Sequence, residues 1–142
     1  MSLTVPSPKT RDFARGLLAC EAAVGKSSEA NTPPAFRVSE KLRRPLSRLA
    51  GAPGFRSLLE RALTLATTQS HSLSPVRVKP DGSLEGLNEL HKDEEAEAGV
   101  MLIAHLLDLL FTLIGEQLTM HLVHDVWPDL PVDDTGLYRL VS

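Results

Sequence analysis

His105, Asp108 and Thr112 fall at i, i+3 and i+7 in a stretch of chain that is otherwise apolar. Imidazole, carboxylate and hydroxyl are the groups from which acid–base and nucleophilic sites are built, and the first two stand within hydrogen-bond reach on a helix. Catalysis also requires a pocket and a nucleophile held against its base. Nothing else in the chain completes such a set. The trio is therefore read as a polar seam that would hold a small ligand if it has a task beyond packing, and the protein as not an enzyme.

A second pair, His121 and His124, is spaced i, i+3, so that both imidazoles reach one ion with Glu116 or Asp125 nearby. On a continuous helix they project away from His105, and the paired Glu-x-x-His of diiron bundles is absent. Histidines near a helix C-terminus also meet the negative end of the helix dipole favourably, which explains them without a ligand. Glu94 and Glu97 share a face in the same way, but acids in a first helical turn complement the dipole at the other end. The expectation is that no metal or other cofactor is resident, with His121 and His124 the positions to watch.

The third constellation is basic. Arg37, Lys41, Arg44 and Arg48 recur at i, i+4, i+7 and i+11, a charged stripe opposite the apolar stripe Val38, Leu42, Leu46 and Leu49. Such a stripe suits a phosphate or an acidic partner. Nucleic acid is disfavoured, because one Trp, one Tyr and four Phe supply few rings on which bases could stack. The Gly25-Lys26-Ser27-Ser28 stretch imitates the end of a phosphate-binding loop. Cys20 stands where that loop needs a glycine, inside a helical pattern, so nucleotide binding there is excluded.

These residues must be positioned by helices. Phe13, Leu17, Cys20 and Val24 mark one apolar stripe, with Ser7 as cap and Pro8 at the first helical position, and Cys20 is read as an inert core thiol. Residues 25–34 form a linker. The basic stripe follows, with Pro45 expected to kink or split it. A break at Gly51-Ala52-Pro53-Gly54 precedes Phe55, Leu58, Leu59, Ala62, Leu63 and Ala66, a core-facing helix to about Thr68. Val76 and Val78 alternate with polar residues ahead of Pro80-Asp81-Gly82, which predicts a small hairpin. Asp93 then caps an apolar helix from Gly99 to Ile114. Sixteen residues are fewer than the ~20 that cross a bilayer, and Asp108 would be costly there, so no membrane association is expected. With its polar groups confined to His105, Asp108, Thr112, Glu116 and Thr119 in one sector, that helix needs neighbours on most sides. Gly115 marks a kink or an end, after which Leu118, Leu122 and Val126 continue an apolar face to Trp127-Pro128.

Charge is distributed unevenly along the 142 residues. The net value is −3, yet residues 1–70 carry +6 and residues 71–142 carry −9, so the halves attract each other within one fold or across a dimer. A single cysteine excludes an internal disulfide and any Cys-rich metal centre. The first residues lack the apolar run of a secretion signal, which points to the cytoplasm.

The segments FRVSEKLRRPLSRLAG, GFRSLLERALTLA, VKPDGSLEGLNEL and LLFTLIGEQLTMHLVHDVWPDLP together resemble a family of small, mainly helical bacterial proteins to which no function is assigned. The resemblance spans about residues 14–134 and implies a bacterial, cytoplasmic origin. It carries no catalytic residues, and His121 and His124 are not part of the pattern. The reading is thus a mainly α protein: one domain over 1–142, a compact bundle of four or five helices with one small β-hairpin, and flexible or docking tails at 1–7 and 129–142. Its expected role is a non-catalytic interaction or regulatory module, whose partner is a second copy in a homodimer or another protein.

Overall fold

The computed structural model describes residues 8–25, 34–86 and 92–128, without the side chains of 23–25, 92, 93 and 95. The expectations for Ser7, for most of the 25–34 linker and for both tails fall outside these described residues, and Asp93, expected as a cap, lies inside the helix that begins at Lys92. Four helices pack together and carry a two-stranded antiparallel hairpin, so the protein is mainly helical, as its periodicities predict.

Helix α1 (Pro8–Gly25) buries Phe13, Ala14, Leu17 and Leu18, and with them Thr10 and Glu21. Its buried arc is displaced from the predicted stripe. Cys20 lies at the edge, half-buried, because α1 packs against both α2 and α3 and its inward face centres on Ala14 and Leu17.

Helix α2 (Pro34–Gln69) is one long run with a kink at Gly51, whose φ of 82° and ψ of 158° are not helical. The helix accommodates Pro45 and turns instead at Gly51, since this backbone conformation is one that only glycine adopts without strain. Val38, Leu42 and Leu46 are buried before the kink, and Phe55, Leu59, Ala62 and Ala66 after it. Leu49, predicted to share the first apolar face, is exposed, being in the last turn before the chain changes direction.

A 3-10 turn at His71–Leu73 leads to strands β1 (Arg77–Val78) and β2 (Leu84–Glu85), in register Arg77 with Glu85 and Val78 with Leu84. The connecting turn is closed by Gly82 N–H donating to the Lys79 carbonyl and by Asp81 Oδ1 accepting from Ser83 N–H and Oγ–H. Two strands alone are marginal in water. Here Arg43 of α2 donates to the Asp81 carbonyl at 3.0 Å, and buried Leu73, Val76 and Leu84 join the helical core.

Helix α3 (Lys92–Ile114) is the central element, packed chiefly on α2 and then α1. From Ala98 to Leu107 every residue except half-buried Met101 is buried, whichever way it points. The enclosure opens in the last turn, where Thr112 and Leu113 are exposed. The apolar stretch Ala96–Ile114 has 19 residues and a mean hydropathy of 1.8, long and apolar enough to cross a membrane, and 56% of it is buried in the bundle. It is longer than the stretch from Gly99 that the sequence suggested, so length does not decide the matter.

At Gly115 the backbone leaves the helix with φ 90° and ψ 156°, and α4 (Glu116–Val126) begins. That interruption resets the helical phase. Residues counted at 100° each from α3 no longer predict what α4 buries: its inward face is Thr119, Met120 and Val123, with Trp127 beyond, while Leu118 is exposed and Leu122 and Val126 are half-buried. The polar seam consequently stops at Thr112, for Thr119 is buried and Glu116 faces Lys9 at 3.7 Å.

Basic side chains of the first half and acids of the second meet at Lys9–Glu116, Arg15–Glu97 and Arg43–Asp81, between 3.7 and 4.0 Å. Exposed pairs of this kind contribute little each, so they orient the halves more than they hold them.

Candidate functional site

The most unusual group in the molecule is Glu21, a carboxylate with no exposure to solvent on the inner face of α1. Three elements converge on it. Lys41 Nζ of α2 lies 2.6 Å from Oε2, and the Trp127 indole N–H, just past α4, donates to the same oxygen at 2.7 Å. Arg37, one turn before Lys41, approaches Oε1 at 3.5 Å without hydrogen-bond geometry on either atom. Burying an unpaired carboxylate is costly; a cation and a donor on one oxygen with a second cation beside the other reduce that cost. The cluster ties α1, α2 and the end of α4 at one point. Sequence reasoning did not find Glu21. The one signal was a lone acid in Leu17-Leu18-Ala19-Cys20-Glu21-Ala22-Ala23-Val24, one turn after buried Leu17.

Two members of the predicted basic stripe, Arg37 and Lys41, are therefore engaged by an internal carboxylate. The other two, Arg44 and Arg48, are exposed. They border an open groove of about 840 Å³ lined also by Lys41, Arg43, Asp81 and Val126. Arg43 is taken up by Glu40 at 3.0 Å and by the hairpin turn. Asp81 titrates below the usual aspartate range, first because the Ser83 hydroxyl donates to it and then because the Ser83 amide does, so it stays anionic at the groove's rim.

The predicted seam grades from core to solvent along α3. His105 is fully buried with Nε2 3.0 Å from Gln69 Oε1 and Nδ1 without a partner. Burial pushes the imidazole below the ordinary histidine range, because the protonated ring would be poorly solvated. Asp108 is half-buried, and burial raises its carboxyl, partly opposed by a hydrogen bond from the Thr10 hydroxyl at 3.3 Å. Thr112 is exposed and donates to the Asp108 carbonyl at 3.1 Å. The three side chains thus face different neighbours, and none of them borders the groove on α2.

His121 and His124 are both exposed on α4. Among the described residues no group of three or more His, Cys, Asp or Glu side chains is arranged to hold a metal ion. A smaller groove of about 310 Å³ lies between α1, α2 and α3, floored by Ala19, Ala22, Ala35, Ala96 and Gly99. Its lining is almost wholly apolar and offers few polar groups to fix a ligand's orientation. Among the described residues the large apolar side chains left in water are Leu113, 62% exposed, Leu118, 41% exposed, and Leu49. Leu113 and Leu118 flank Gly115, where an added Cβ would meet nothing within 4 Å, so the elbow between α3 and α4 is open on its outer side.

No protein-family model, curated protein or solved structure matches this chain.

Proposed function

We propose that the protein is a non-catalytic helical interaction module that works as a homodimer, with the α3–α4 elbow as its contact. The observation that carries this reading is the exposure of Leu113 and Leu118 on either side of Gly115. A soluble helix ordinarily turns leucines inward, and α3 does so along the rest of its length. An isologous contact between two elbows would cover both leucines. The cytoplasm, a bacterial origin, independence from cofactors and from nucleic acid, and a partner that is protein rather than membrane belong to the same proposal and rest on the sequence.

Analytical ultracentrifugation across a wide concentration range tests it. Dimers in the native protein, and monomers with unchanged helicity in Leu113→Glu/Leu118→Glu, are expected. A native protein that stays monomeric at high concentration overturns the reading. One observation favours a second reading, that the seam of His105, Asp108 and Thr112 holds a small ligand: the buried Nδ1 of His105 is unpartnered. Native mass spectrometry of untagged protein would then show a retained mass that Asp108→Ala releases.

A further inference from the structure

The groove on α2 is the most strongly charged feature that the dimer does not use. Four cations line it, and their partners separate them into two kinds. Lys41 is held by Glu21, and Arg43 by Glu40 and the hairpin turn. Arg44 and Arg48 stand four residues apart on one face of α2, exposed, and among the described residues no carboxylate pairs with either. Two arginines one turn apart, their positions separated by about 6 Å along the axis, can together receive carboxylates.

The same groove is bounded by Val126, the last residue of α4. Trp127, two residues before Asp129, is fixed by its hydrogen bond to Glu21. Beyond Pro128 the sequence reads Asp129-Leu130-Pro131-Val132-Asp133-Asp134, three carboxylates and no cation within six residues. Six residues reach at most about 20 Å, several times the spacing between the two arginines. Pro131 biases Leu130 toward extended backbone, which favours laying the segment along a groove over coiling it away from one.

We infer that segment 129–134 docks in this groove, its carboxylates pairing with Arg44 and Arg48 of the same chain. The contact makes the groove self-occupied, so an external acidic partner reaches the arginines only by displacing the segment. This is independent of the elbow dimer, because it uses neither Leu113 nor Leu118.

Zero-length carbodiimide coupling, which joins an amine to a carboxylate only in direct contact, tests it in the full chain carrying Arg44→Lys/Arg48→Lys. These substitutions keep both charges at exposed positions, so folding is retained. Labelled and unlabelled protein are mixed in equal amounts before coupling. The expected products join position 44 or 48 to Asp129, Asp133 or Asp134, with both peptides carrying the same label. Their yield should fall several-fold between about 50 mM and about 500 mM salt, as the screening length shortens. They should vanish in Asp129→Asn/Asp133→Asn/Asp134→Asn. Absence of these products overturns the inference. Products that pair labelled with unlabelled peptides overturn it as well, since the segment of a second copy would then fill the groove.

Discussion

Lys41 is a half-exposed lysine that should behave as a core residue. Its side chain is 43% exposed, and a substitution at an exposed lysine usually shifts stability by no more than about 0.5 kcal/mol. Here the ammonium stands 2.6 Å from a carboxylate that has no solvent exposure. Lys41→Met preserves the length of the stem and removes only the charge, leaving Glu21 with the Trp127 donor on Oε2 and Arg37 at 3.5 Å from Oε1. Stranding one partner of a buried ion pair costs about 3–5 kcal/mol. The remaining Arg37 and the indole place this case at the lower end, about 3 kcal/mol, or a fall in Tm on the order of 10 °C for a chain of this size. Glu21→Gln removes the charge that would be stranded and still accepts from Trp127. Lys41 is then free to turn to water, so the single variant should lose about 1 kcal/mol. The double variant Glu21→Gln/Lys41→Met should be no worse than about 1 kcal/mol, a coupling of about 3 kcal/mol between the two sites, as a shared buried pair requires. Urea unfolding followed by the emission of Trp127, the chain's single tryptophan, measures all four proteins with a probe at the cluster itself. If Lys41→Met unfolds within 0.5 kcal/mol of the native protein, or if the double variant is no more stable than Lys41→Met, the stranded-charge argument is wrong.

Other substitutions probe the rest of the chain. In the unfolded protein His105 titrates near 6.5 and in the folded protein lower, so below about 6.5 the unfolded state takes up a proton that the native state refuses, and stability falls as pH falls through that window. Asp108 works oppositely: its folded value lies above 3.8, so its burial penalty is full above the raised value and is relieved as pH drops toward 3.8. Denaturant midpoints measured from about pH 7.5 to pH 4 should therefore fall less steeply in His105→Gln and more steeply in Asp108→Asn; equal slopes in all three proteins would exclude both attributions. Gly86→Ala and Gly115→Ala form a matched pair, both at φ near +90°, but a Cβ at Gly86 is driven into the Pro75 carbonyl while one at Gly115 meets open space. Backbone strain alone predicts about 1–3 kcal/mol for Gly115→Ala, and Gly86→Ala should lose clearly more. Calorimetric scans that rank them the other way would contradict the packing assigned to the hairpin.

Much of this architecture is legible in the residue pattern, and the exceptions share a cause. The second half of α2 repeats its apolar residues at helical spacing on one side of an uninterrupted run, and its buried face is the predicted one. The hairpin turn announces itself through Pro80-Asp81-Gly82. Errors arise where a helix is assumed to continue, or where its inward arc is assumed narrow. Leu118 lies beyond Gly115, whose positive φ changes the direction of the chain, and no periodicity carries across such a residue; Leu49 is the last member of its own stripe, in the turn that ends at the Gly51 kink. Cys20 and Glu21 were missed differently. Two helices flank α1, so its buried arc is wide enough to take in a carboxylate, and an acid at such a position reads as surface until its partners, 16 to 106 residues away, are in place. Arg37 and Lys41 likewise read as half of a free basic stripe until Glu21 is seen beneath them.

The cluster also bears on how α4 is oriented. Eleven residues are too few for a helix to be stable alone, and Gly115 imposes little on the direction in which α4 leaves α3. Thr119, Met120 and Val123 provide an apolar contact, but apolar contacts tolerate small rotations, whereas the Trp127 hydrogen bond to Oε2 of Glu21 does not. Buried polar groups can select one arrangement without adding net stability. The double variant Glu21→Gln/Lys41→Met separates these two roles. Its global stability should stay close to the native value, yet Gln at position 21 offers Trp127 a neutral acceptor, and a hydrogen bond to a charged group is worth about 1 kcal/mol more than one to a neutral group. Local opening of α4 should therefore become about fivefold more frequent, while α3 is unaffected. Amide hydrogen exchange resolves the two helices: faster exchange confined to residues 116–127 is expected, and uniform acceleration, or none, would show that the apolar face alone sets the orientation of α4.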